Sequence, residues 1–306
     1  MTVAESRPRS HPPALVTTAR TMLFVPGSRP DRFAKAAASG ADAVVLDLED
    51  AVAPADKARA REQVRRWRAQ GGAGIVRVND RRTRWYREDL ASLEGPAVVL
   101  LPKTGTADDV EDVRGLLAPE SWVIPILETA QGIVNAPAIA AVPGVARLAF
   151  GNGDLAAELG VAHTSHRALA AARSAVVLAA AAAGIAPPLD GVTTAIDDEA
   201  LLAADTRHAR ELGFTGRLCI HPRQIAATHR ELAPSREEIR WARSVVDSVG
   251  TGAATVVNGG MVDQPILARA RALLAQASRA PAEGLASRPV PAPPAPADTS
   301  AAGGAK

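Results

Sequence analysis

The chain contains the segment Ala43-Val44-Val45-Leu46-Asp47-Leu48-Glu49-Asp50, an apolar run of strand length that ends in acidic residues. Its apolar residues follow one another without the alternation expected of a strand that has one face in solvent. Continuous hydrophobicity of this kind is typical of parallel strands buried on both faces. The segment therefore predicts a strand that is covered by helices and followed by charged side chains.

Seven further runs of the same type occur along the chain. They are Thr21–Val25, Ile75–Val78, Ala97–Leu101, Val123–Leu127, Arg147–Phe150, Ala186–Val192 and Leu218–Ile220. The segments between the runs have mostly helical patterns, and several begin at Ser, Asp or Pro, as helices commonly do. Eight strands that alternate with helices predict a (β/α)8 TIM barrel. A doubly wound open sheet is the alternative, but such a sheet seldom needs eight strands.

The sequence predicts a barrel domain over residues 20–232. Residues 233–278 contain two helical stretches joined by a Gly-rich linker, and they predict a C-terminal helical extension without a core of its own. Residues 1–19 and 279–306 are expected to be disordered. The second of these segments is rich in Pro, Ala, Gly and Ser and carries too few bulky apolar residues to order itself.

Composition excludes several classes of protein. The formal net charge of the 306 residues is +2, and no basic stripe is interleaved with aromatic residues, so nucleic acid is not an expected partner. No apolar stretch reaches the roughly 18 residues of a membrane span, and the N-terminus lacks the apolar segment of a secretory signal. A cytoplasmic location is therefore expected. The lone Cys219 lies in an apolar run and is predicted to be a core residue rather than a nucleophile.

Polar residues follow each of the eight runs. Because the active sites of TIM barrels lie at the carboxyl ends of the strands, these residues are expected to meet at one mouth. They are Pro26–Arg29, Asp47–Asp50, Arg77–Asp80, Pro102-Lys103, Glu128-Thr129, Gly151–Asp154, Asp190-Gly191 and His221-Pro222.

Glu128 and Asp154 end adjacent strands, one βα unit apart. Two carboxylates with room for water suit Mg²⁺, although two exposed acids at loop starts would look the same in sequence. The bend at Asn152-Gly153 would turn backbone N–H groups towards an anion. Arg77 has two interpretations, which remain open. It either contacts a carboxylate or enolate oxygen of a substrate, or forms a solvated salt bridge to the acids of Asp47–Asp50.

The three histidines near the mouth have structural interpretations. His163 and His166 are expected to be loop residues rather than metal ligands. His221 ends a strand and is expected to make a hydrogen bond at the barrel rim.

Several motifs together resemble the citrate lyase β-subunit family, which is grouped with malyl-CoA and citramalyl-CoA lyases among the HpcH/HpaI aldolases. The matching motifs run in order from Arg20 to Ala277. They are Leu23–Gly27, Leu46–Val52, Val76–Asn79, Leu101–Lys103, Leu127–Ala130, Gly151–Leu155, Cys219–Ile225 and Gly260–Asp263.

The resemblance implies a magnesium site formed by Glu128 and Asp154. It places Arg77 at the thioester carbonyl or the keto-acid group as a catalytic and substrate-binding residue. The backbone of Asn152, Gly153 and Asp154 would bind the carboxylate of an α-keto acid.

The resemblance also implies where coenzyme A and a second subunit contribute. Phe24, Arg29 and Lys35 lie where the family contacts the CoA nucleotide. Asp263 resembles a catalytic acid that the family delivers onto a neighbouring subunit's site, and this implies a homotrimer or a multiple of it.

The implied activity is that of a carbon–carbon lyase, a Mg²⁺-dependent CoA-ester lyase. Its substrate would be a 3-hydroxyacyl-CoA of the malyl-, citramalyl- or citryl-CoA type, cleaved to acetyl-CoA and an α-keto acid by retro-Claisen chemistry. The alternatives are a metal-dependent aldolase of 4-hydroxy-2-keto acids and a lyase subunit that acts on acyl-carrier-protein thioesters. Gly153 replaces an acid found in many members of the family, and Val161–Ala168 lacks the expected Arg-rich run. The sequence therefore does not determine which keto acid is released.

Overall fold

A computed structural model describes residues 11–248, 256–257 and 260–278 of the chain. Eight parallel strands pair in chain order and close into a barrel, which confirms the predicted TIM barrel. The strands are β1 (Thr21–Pro26), β2 (Ala43–Asp47), β3 (Ile75–Arg77), β4 (Val98–Leu101), β5 (Trp122–Leu127), β6 (Arg147–Phe150), β7 (Ala186–Asp190) and β8 (Gly216–Cys219).

Helices surround the barrel and follow the strands. In chain order they are α1 (Ala14–Thr18), α2 (Phe33–Ala37), α3 (Lys57–Ala69), α4 (Tyr86–Ala91), α5 (Ala107–Leu116), α6 (Ala130–Val134), α7 (Ala136–Ala140), α8 (Asn152–Leu159), α9 (His166–Ala182), α10 (Glu199–Leu212), α11 (Arg223–Leu232), α12 (Arg236–Ser248) and α13 (Gln264–Ala277). Two short strands, β9 (Val256–Val257) and β10 (Gly260–Met261), pair antiparallel between α12 and α13.

Two apolar clusters explain why the strands are hydrophobic without alternation. Along β2, Val44 and Leu46 belong to the cluster between the strands and the helices. Ala43 and Val45 belong to the inner cluster, which fills the barrel. Successive side chains of a strand point to opposite faces, so both faces of β2 need apolar residues. Asp47 is the exception on the inner face, at the end of the strand that opens onto the mouth.

The short helix α1 corrects one expectation from the sequence. Residues 1–19 were expected to be disordered, but residues 14–18 form a helix whose Val16 is buried in the inner cluster. Ala19 is buried in the same cluster, and the guanidinium of Arg147 donates to the backbone oxygens of Val16 and Ala19, so the segment is attached to the end of the barrel. Residues 1–10 and 279–306, for which disorder is also expected, lie outside the described residues.

The C-terminal helices α12 and α13 pack on each other around a small apolar cluster that includes Ala242, Val245 and Leu267. The guanidinium of Arg20, immediately before β1, donates to the backbone oxygen of Gln276 at 2.8 Å. The far end of α13 therefore contacts the amino end of the barrel, opposite the mouth. None of the helices in the described ranges is long and apolar enough to cross a membrane.

Candidate active site

An ion pair between the ends of β2 and β3 forms one wall of the mouth. Asp47 and Arg77 are register partners in the parallel sheet, so their side chains leave adjacent strands side by side. The Nε and Nη2 atoms of Arg77 donate to the two carboxylate oxygens of Asp47 at 2.7 and 2.6 Å. This two-point geometry sets the plane of the guanidinium as well as its position.

The same guanidinium has two further neighbours. Its Nη1 atom lies 3.0 Å from Glu49 Oε2, and its carbon lies 4.6 Å from the centre of the Phe24 ring. The side chain of Arg77 is only 14% exposed and that of Asp47 is fully buried, so the salt bridge expected as a solvated one is buried. Arg77 is therefore held in one orientation at the edge of the mouth, which also suits the alternative of contacting a substrate.

Glu128 follows β5 and is buried, with 6% of its surface exposed. Its Oε1 atom accepts the backbone N–H of Lys103 at 2.8 Å. Burial, together with the negative charges of Glu49 and Asp154, raises the pKa of the Glu128 carboxyl to about 8. A bound cation would favour the ionised form of this carboxyl.

Lys103 contacts both proposed metal ligands. Its backbone N–H is bonded to Glu128, and its ammonium lies 2.7 Å from Glu49 Oε1 and 3.4 Å from Asp154 Oδ2. Lys103 has a φ of 50°, in the left-handed region that residues other than glycine rarely adopt. The sequence placed Lys103 and Glu49 at the mouth but assigned them no role, since only the folded arrangement brings them together.

Asp154 lies in the first turn of α8, and its side chain is 45% exposed. Gly151, immediately before α8, allows the close approach of Glu128, because a Cβ there would lie 2.5 Å from Glu128 Oε2. No side chain caps the amino end of α8, so its first N–H groups remain for another acceptor. A Cβ at Gly153 would meet no atom within 4 Å.

The side chain of Asn152 has a structural partner. Its Nδ2 atom donates to the backbone oxygen of Val192 at 3.1 Å, and its Oδ1 atom accepts the Val192 N–H at 3.0 Å. These two bonds tie the start of α8 to the loop after β7. Only the backbone of Asn152 is therefore left for the substrate contact that the sequence implied.

The charge balance of the mouth tests whether a cation fits. Five carboxylates and two cationic side chains lie there. The carboxylates are those of Asp47, Glu49, Asp50, Glu128 and Asp154, and the cations are Arg77 and Lys103. Over the described ranges, no group of three His, Cys, Asp or Glu side chains is placed to hold a metal ion. Glu128 and Asp154 are close enough at the mouth for their charges to interact, and two carboxylates would leave most positions around a cation to water or substrate. This donor set suits Mg²⁺, which keeps several waters.

The three residues implied for the CoA nucleotide are not all in one place. Phe24 packs with the inner cluster of the barrel, beneath Arg77. Arg29 and Lys35 are exposed on the segment that follows β1, where Arg29 pairs with Asp31 at 2.9 and 2.8 Å. The exposed side chains of Arg29 and Lys35 remain accessible to an anionic ligand. Phe24, in contrast, packs under the mouth and supports it.

Asp263 is the N-cap of α13, and its carboxylate accepts the Ile266 N–H at 3.1 Å. Within the described part of the chain, no hydrogen bond or ion pair joins Asp263 to the mouth of its own barrel. Its action on a neighbouring subunit, which the resemblance implies, stays a prediction.

The remaining sequence candidates have structural roles. His166 is bonded to Asp205 at 2.8 Å and stacks on His208, while His221 accepts the Arg223 N–H at 3.2 Å at the rim. Cys219 is fully buried, and burial raises the pKa of its thiol to about 11. The prediction that Cys219 is a core residue is confirmed.

The chain matches the family model HpcH/HpaI aldolase/citrate lyase over residues 20–222. It is 37% identical to a (3S)-malyl-CoA thioesterase of Cereibacter sphaeroides, over 87% of this chain and 96% of the relative. It is 38% identical to a citrate lyase subunit beta-like protein of Deinococcus radiodurans, over 86% of this chain and 98% of the relative.

A solved structure extends the comparison. The protein CitE from Mycobacterium tuberculosis, in complex with magnesium, acetoacetate and coenzyme A, superposes with a TM-score of 0.76 and 36% identity, over 86% of this chain and all of that one. The expectation of an enzyme resembling the citrate lyase β subunit is confirmed. The chain belongs to the HpcH/HpaI aldolase/citrate lyase family.

Proposed function

We propose that the chain is a Mg²⁺-dependent CoA-ester lyase that cleaves a 3-hydroxyacyl-CoA of the malyl-, citramalyl- or citryl-CoA type to acetyl-CoA and an α-keto acid. The observation that carries the proposal is the pair Glu128 and Asp154 at one acid-rich mouth, beside the oriented guanidinium of Arg77. The malyl-CoA in the name of one relative, together with the magnesium and coenzyme A in the similar structure, supports a CoA ester as the substrate and magnesium as the metal.

Glu128 and Asp154 would hold the magnesium ion, and Lys103 would keep both carboxylates in place. When bound, magnesium supplies Lewis-acid polarisation of the substrate's hydroxyl and carboxylate groups. The free N–H groups at the start of α8 would bind the carboxylate of the keto-acid portion. These contacts orient the hydroxyl-bearing carbon over the mouth.

Arg77 would stabilise the charge that develops on the thioester oxygen. In the cleavage direction the hydroxyl proton leaves to solvent, a carbonyl forms, and the carbon–carbon bond breaks with its electrons moving into the thioester as an enolate. Asp47 uses two of the five N–H donors of the guanidinium, so others remain for this oxygen. A donor fixed before the reaction stabilises the transition state more than the ground state.

Asp263 would donate a proton to the enolate carbon and so release acetyl-CoA, or remove that proton in the synthetic direction. As the resemblance implies, it would act on a neighbouring subunit in a homotrimer or a multiple of it. Water attack on the thioester at the same site would give a thioesterase activity, the activity named for one relative.

The test is incubation of the chain with malyl-, citramalyl- and citryl-CoA in the presence of Mg²⁺, with the keto acid trapped and identified. We expect one of the esters to yield acetyl-CoA and keto acid in equal amounts, and we expect a chelator to stop the reaction. Release of free CoA without keto acid would indicate a thioesterase alone. Cleavage only of 4-hydroxy-2-keto acids, or only of acyl-carrier-protein thioesters, would overturn the proposal in favour of the corresponding alternative.

A further inference from the structure

The side chain of Lys57, the first residue of α3, is buried behind the mouth with 5% of the residue exposed. Its ammonium donates to the backbone oxygens of Leu48 and Glu49, both at 2.7 Å, and to Asn79 Oδ1 at 2.6 Å. An ammonium has three N–H donors, and all three are used. The three acceptors are uncharged oxygen atoms, so Lys57 holds backbone and amide groups rather than an ion-pair partner.

A buried ammonium is a costly way to fill this space. Removing a charge from water is unfavourable unless strong interactions compensate, and an apolar side chain of similar volume often stabilises a fold as well or better. The presence of a charge here is better explained by the geometry that its three bonds impose. The Trp85 ring, whose centre lies 5.2 Å from the ammonium, closes one side of the pocket.

The three bonds of Lys57 join two loops at the mouth. Leu48 and Glu49 follow β2, whereas Asn79 follows β3. The Nδ2 atom of Asn79 donates to the Leu48 oxygen at 2.9 Å and to Asp89 Oδ2 at 2.6 Å. Asp89 is fully buried and is held by Arg61 at 3.0 Å. The network therefore runs from α3 through both loops to α4.

These bonds determine where Glu49 and Arg77 lie. Lys57 donates to the backbone oxygen of Glu49 and so fixes the backbone at this residue. The side chain of Glu49 extends into the mouth and contacts both Lys103 and Arg77. Arg77 lies two residues before Asn79, whose position the same network sets. Lys57 itself does not line the mouth but lies behind the two loops.

We propose that Lys57 is a positioning residue for the reaction, acting through Glu49 and Asn79 to hold Arg77 and Lys103 in their working orientation. This inference rests on the proposed function for its kinetic consequences but not for its structural ones. Lys57 is not expected to touch substrate or metal.

The kinetic test replaces the ammonium with an apolar group of similar length in Lys57→Met. We expect kcat for the CoA ester to fall at least tenfold while KM changes less than threefold, because a displaced Arg77 loses contacts made chiefly in the transition state. Val176→Ala is the matched control, since Val176 is a buried residue of the same outer cluster but lies on α9, which packs beside β6 and β7. It should lower stability and leave kcat within twofold.

A double-mutant cycle separates positioning from general destabilisation. If Lys57 acts through Glu49, then Lys57→Met should reduce kcat much less in a Glu49→Gln background than in the wild type. Additive losses would overturn the proposal.

Hydrogen exchange gives a readout that does not require activity. The Glu49 and Ala51 N–H groups are bonded to the Asp47 carboxylate at 2.9 and 3.2 Å, and they should be protected. We expect Lys57→Met to speed exchange in peptides covering residues 48–53 at least tenfold, and Val176→Ala to leave it unchanged. Equal exchange in both variants would overturn the inference.

Asn79→Ala removes one of the three acceptors and should produce the same signature to a smaller degree. If Lys57→Met does not fold, Asn79→Ala tests whether the network positions the two loops. An Asn79→Ala variant with normal kcat and normal exchange would overturn the inference. If the wild type cleaves none of the CoA esters, the proposed function fails, whereas the exchange measurement still tests Lys57.

Discussion

Two sides of the barrel carry buried Arg–Asp pairs, and they differ in what surrounds them. On one side, the pair Asp47–Arg77 is bordered by further acids and opens onto the mouth, with Arg77 14% exposed. On the other side, Asp190 at the end of β7 is bonded to Arg173 at 2.9 Å and to Arg217 at 3.1 Å, and all three are almost completely buried.

The two sides differ in charge balance. Arg173 and Arg217 both face Asp190, and Arg217 also lies 3.5 Å from Asp205, so two arginines meet two carboxylates on this closed side. The Asp47 side has more acids than bases and remains partly accessible. Similar residue types thus stabilise the fold on one side and provide a binding site on the other. The two sides differ in the exposure of their side chains and in their net charge.

The largest expected effect is the loss of turnover in Asp154→Ala, since this variant removes one of two proposed ligands of the metal. Keto-acid release should fall to background at any Mg²⁺ concentration, with the unfolding midpoint little changed because Asp154 is half-exposed. The matched variant Asp190→Asn should keep turnover and lose stability. It leaves the buried Arg173 without its counter-charge and Arg217 with Asp205 alone, and it should lower the free energy of unfolding by about 3–5 kcal/mol. Full activity of Asp154→Ala after chelation and return of Mg²⁺ would show that the metal assignment is wrong.

Next in size is Arg77→Met. Loss of a preorganised donor to the thioester oxygen should reduce kcat about 10²–10³-fold. Asp47 and Glu49 would also lose their buried partner, so the thermal midpoint should fall as well. Steady-state kinetics with the best ester of the panel measures the first effect. An unchanged kcat would assign Arg77 to the fold alone, like the two arginines beside Asp190.

Asp263→Ala should leave the fold and metal binding intact but stop proton exchange at the acetyl methyl group. Deuterium incorporation into acetyl-CoA from heavy water is the measurement. Co-expression of Asp263→Ala with Asp154→Ala chains tests whether the acid acts between subunits, since random mixing in a ring should restore about a quarter of the sites. Undiminished deuterium incorporation by Asp263→Ala would remove this acid from the mechanism.

A smaller effect concerns stability against pH in the absence of metal. Glu128 has a folded-state pKa of about 8 against an ordinary value of 4.5, so the folded chain binds more protons than the unfolded chain between these values. Stability in a chelator should therefore fall as pH rises from about 4.5 to about 8, by at most about 1.4 kcal/mol per pH unit. Glu128→Gln should flatten the slope in denaturant titrations. A slope unchanged by this variant would contradict the raised pKa.

The smallest effect is expected at Cys219. Burial holds the pKa of its thiol near 11, so a thiol reagent at pH 8 should not react with the folded chain and should react fully in denaturant. Rapid labelling of the folded chain would contradict the core assignment.

The barrel could be predicted from the sequence because most strands are apolar on both faces, as the two clusters around β2 show. The mouth residues could be predicted from their position after the strands. Their partners could not, because the contacts of Lys103 and Lys57 depend on loop conformations that no periodicity encodes. The φ of 50° at Lys103 is an example, since it turns the residue to contact Glu128 and Glu49 at once.

Asp190 shows the converse limit. In sequence it ends a strand like Asp47 and was placed in the same ring of polar residues. Its two arginine partners come from α9 and from β8, 17 and 27 residues away, and their burial closes this side. Equivalent positions in the sequence therefore did not reveal which acids are accessible.

The most direct test of the account is calorimetric titration of the chelator-treated chain with Mg²⁺, side by side with Asp154→Asn, Glu128→Gln and Asp190→Asn. We expect one site per wild-type chain, loss of binding in the first two variants, and wild-type binding in folded Asp190→Asn. Binding that survives in both Asp154→Asn and Glu128→Gln, or that is lost only in Asp190→Asn, would contradict it.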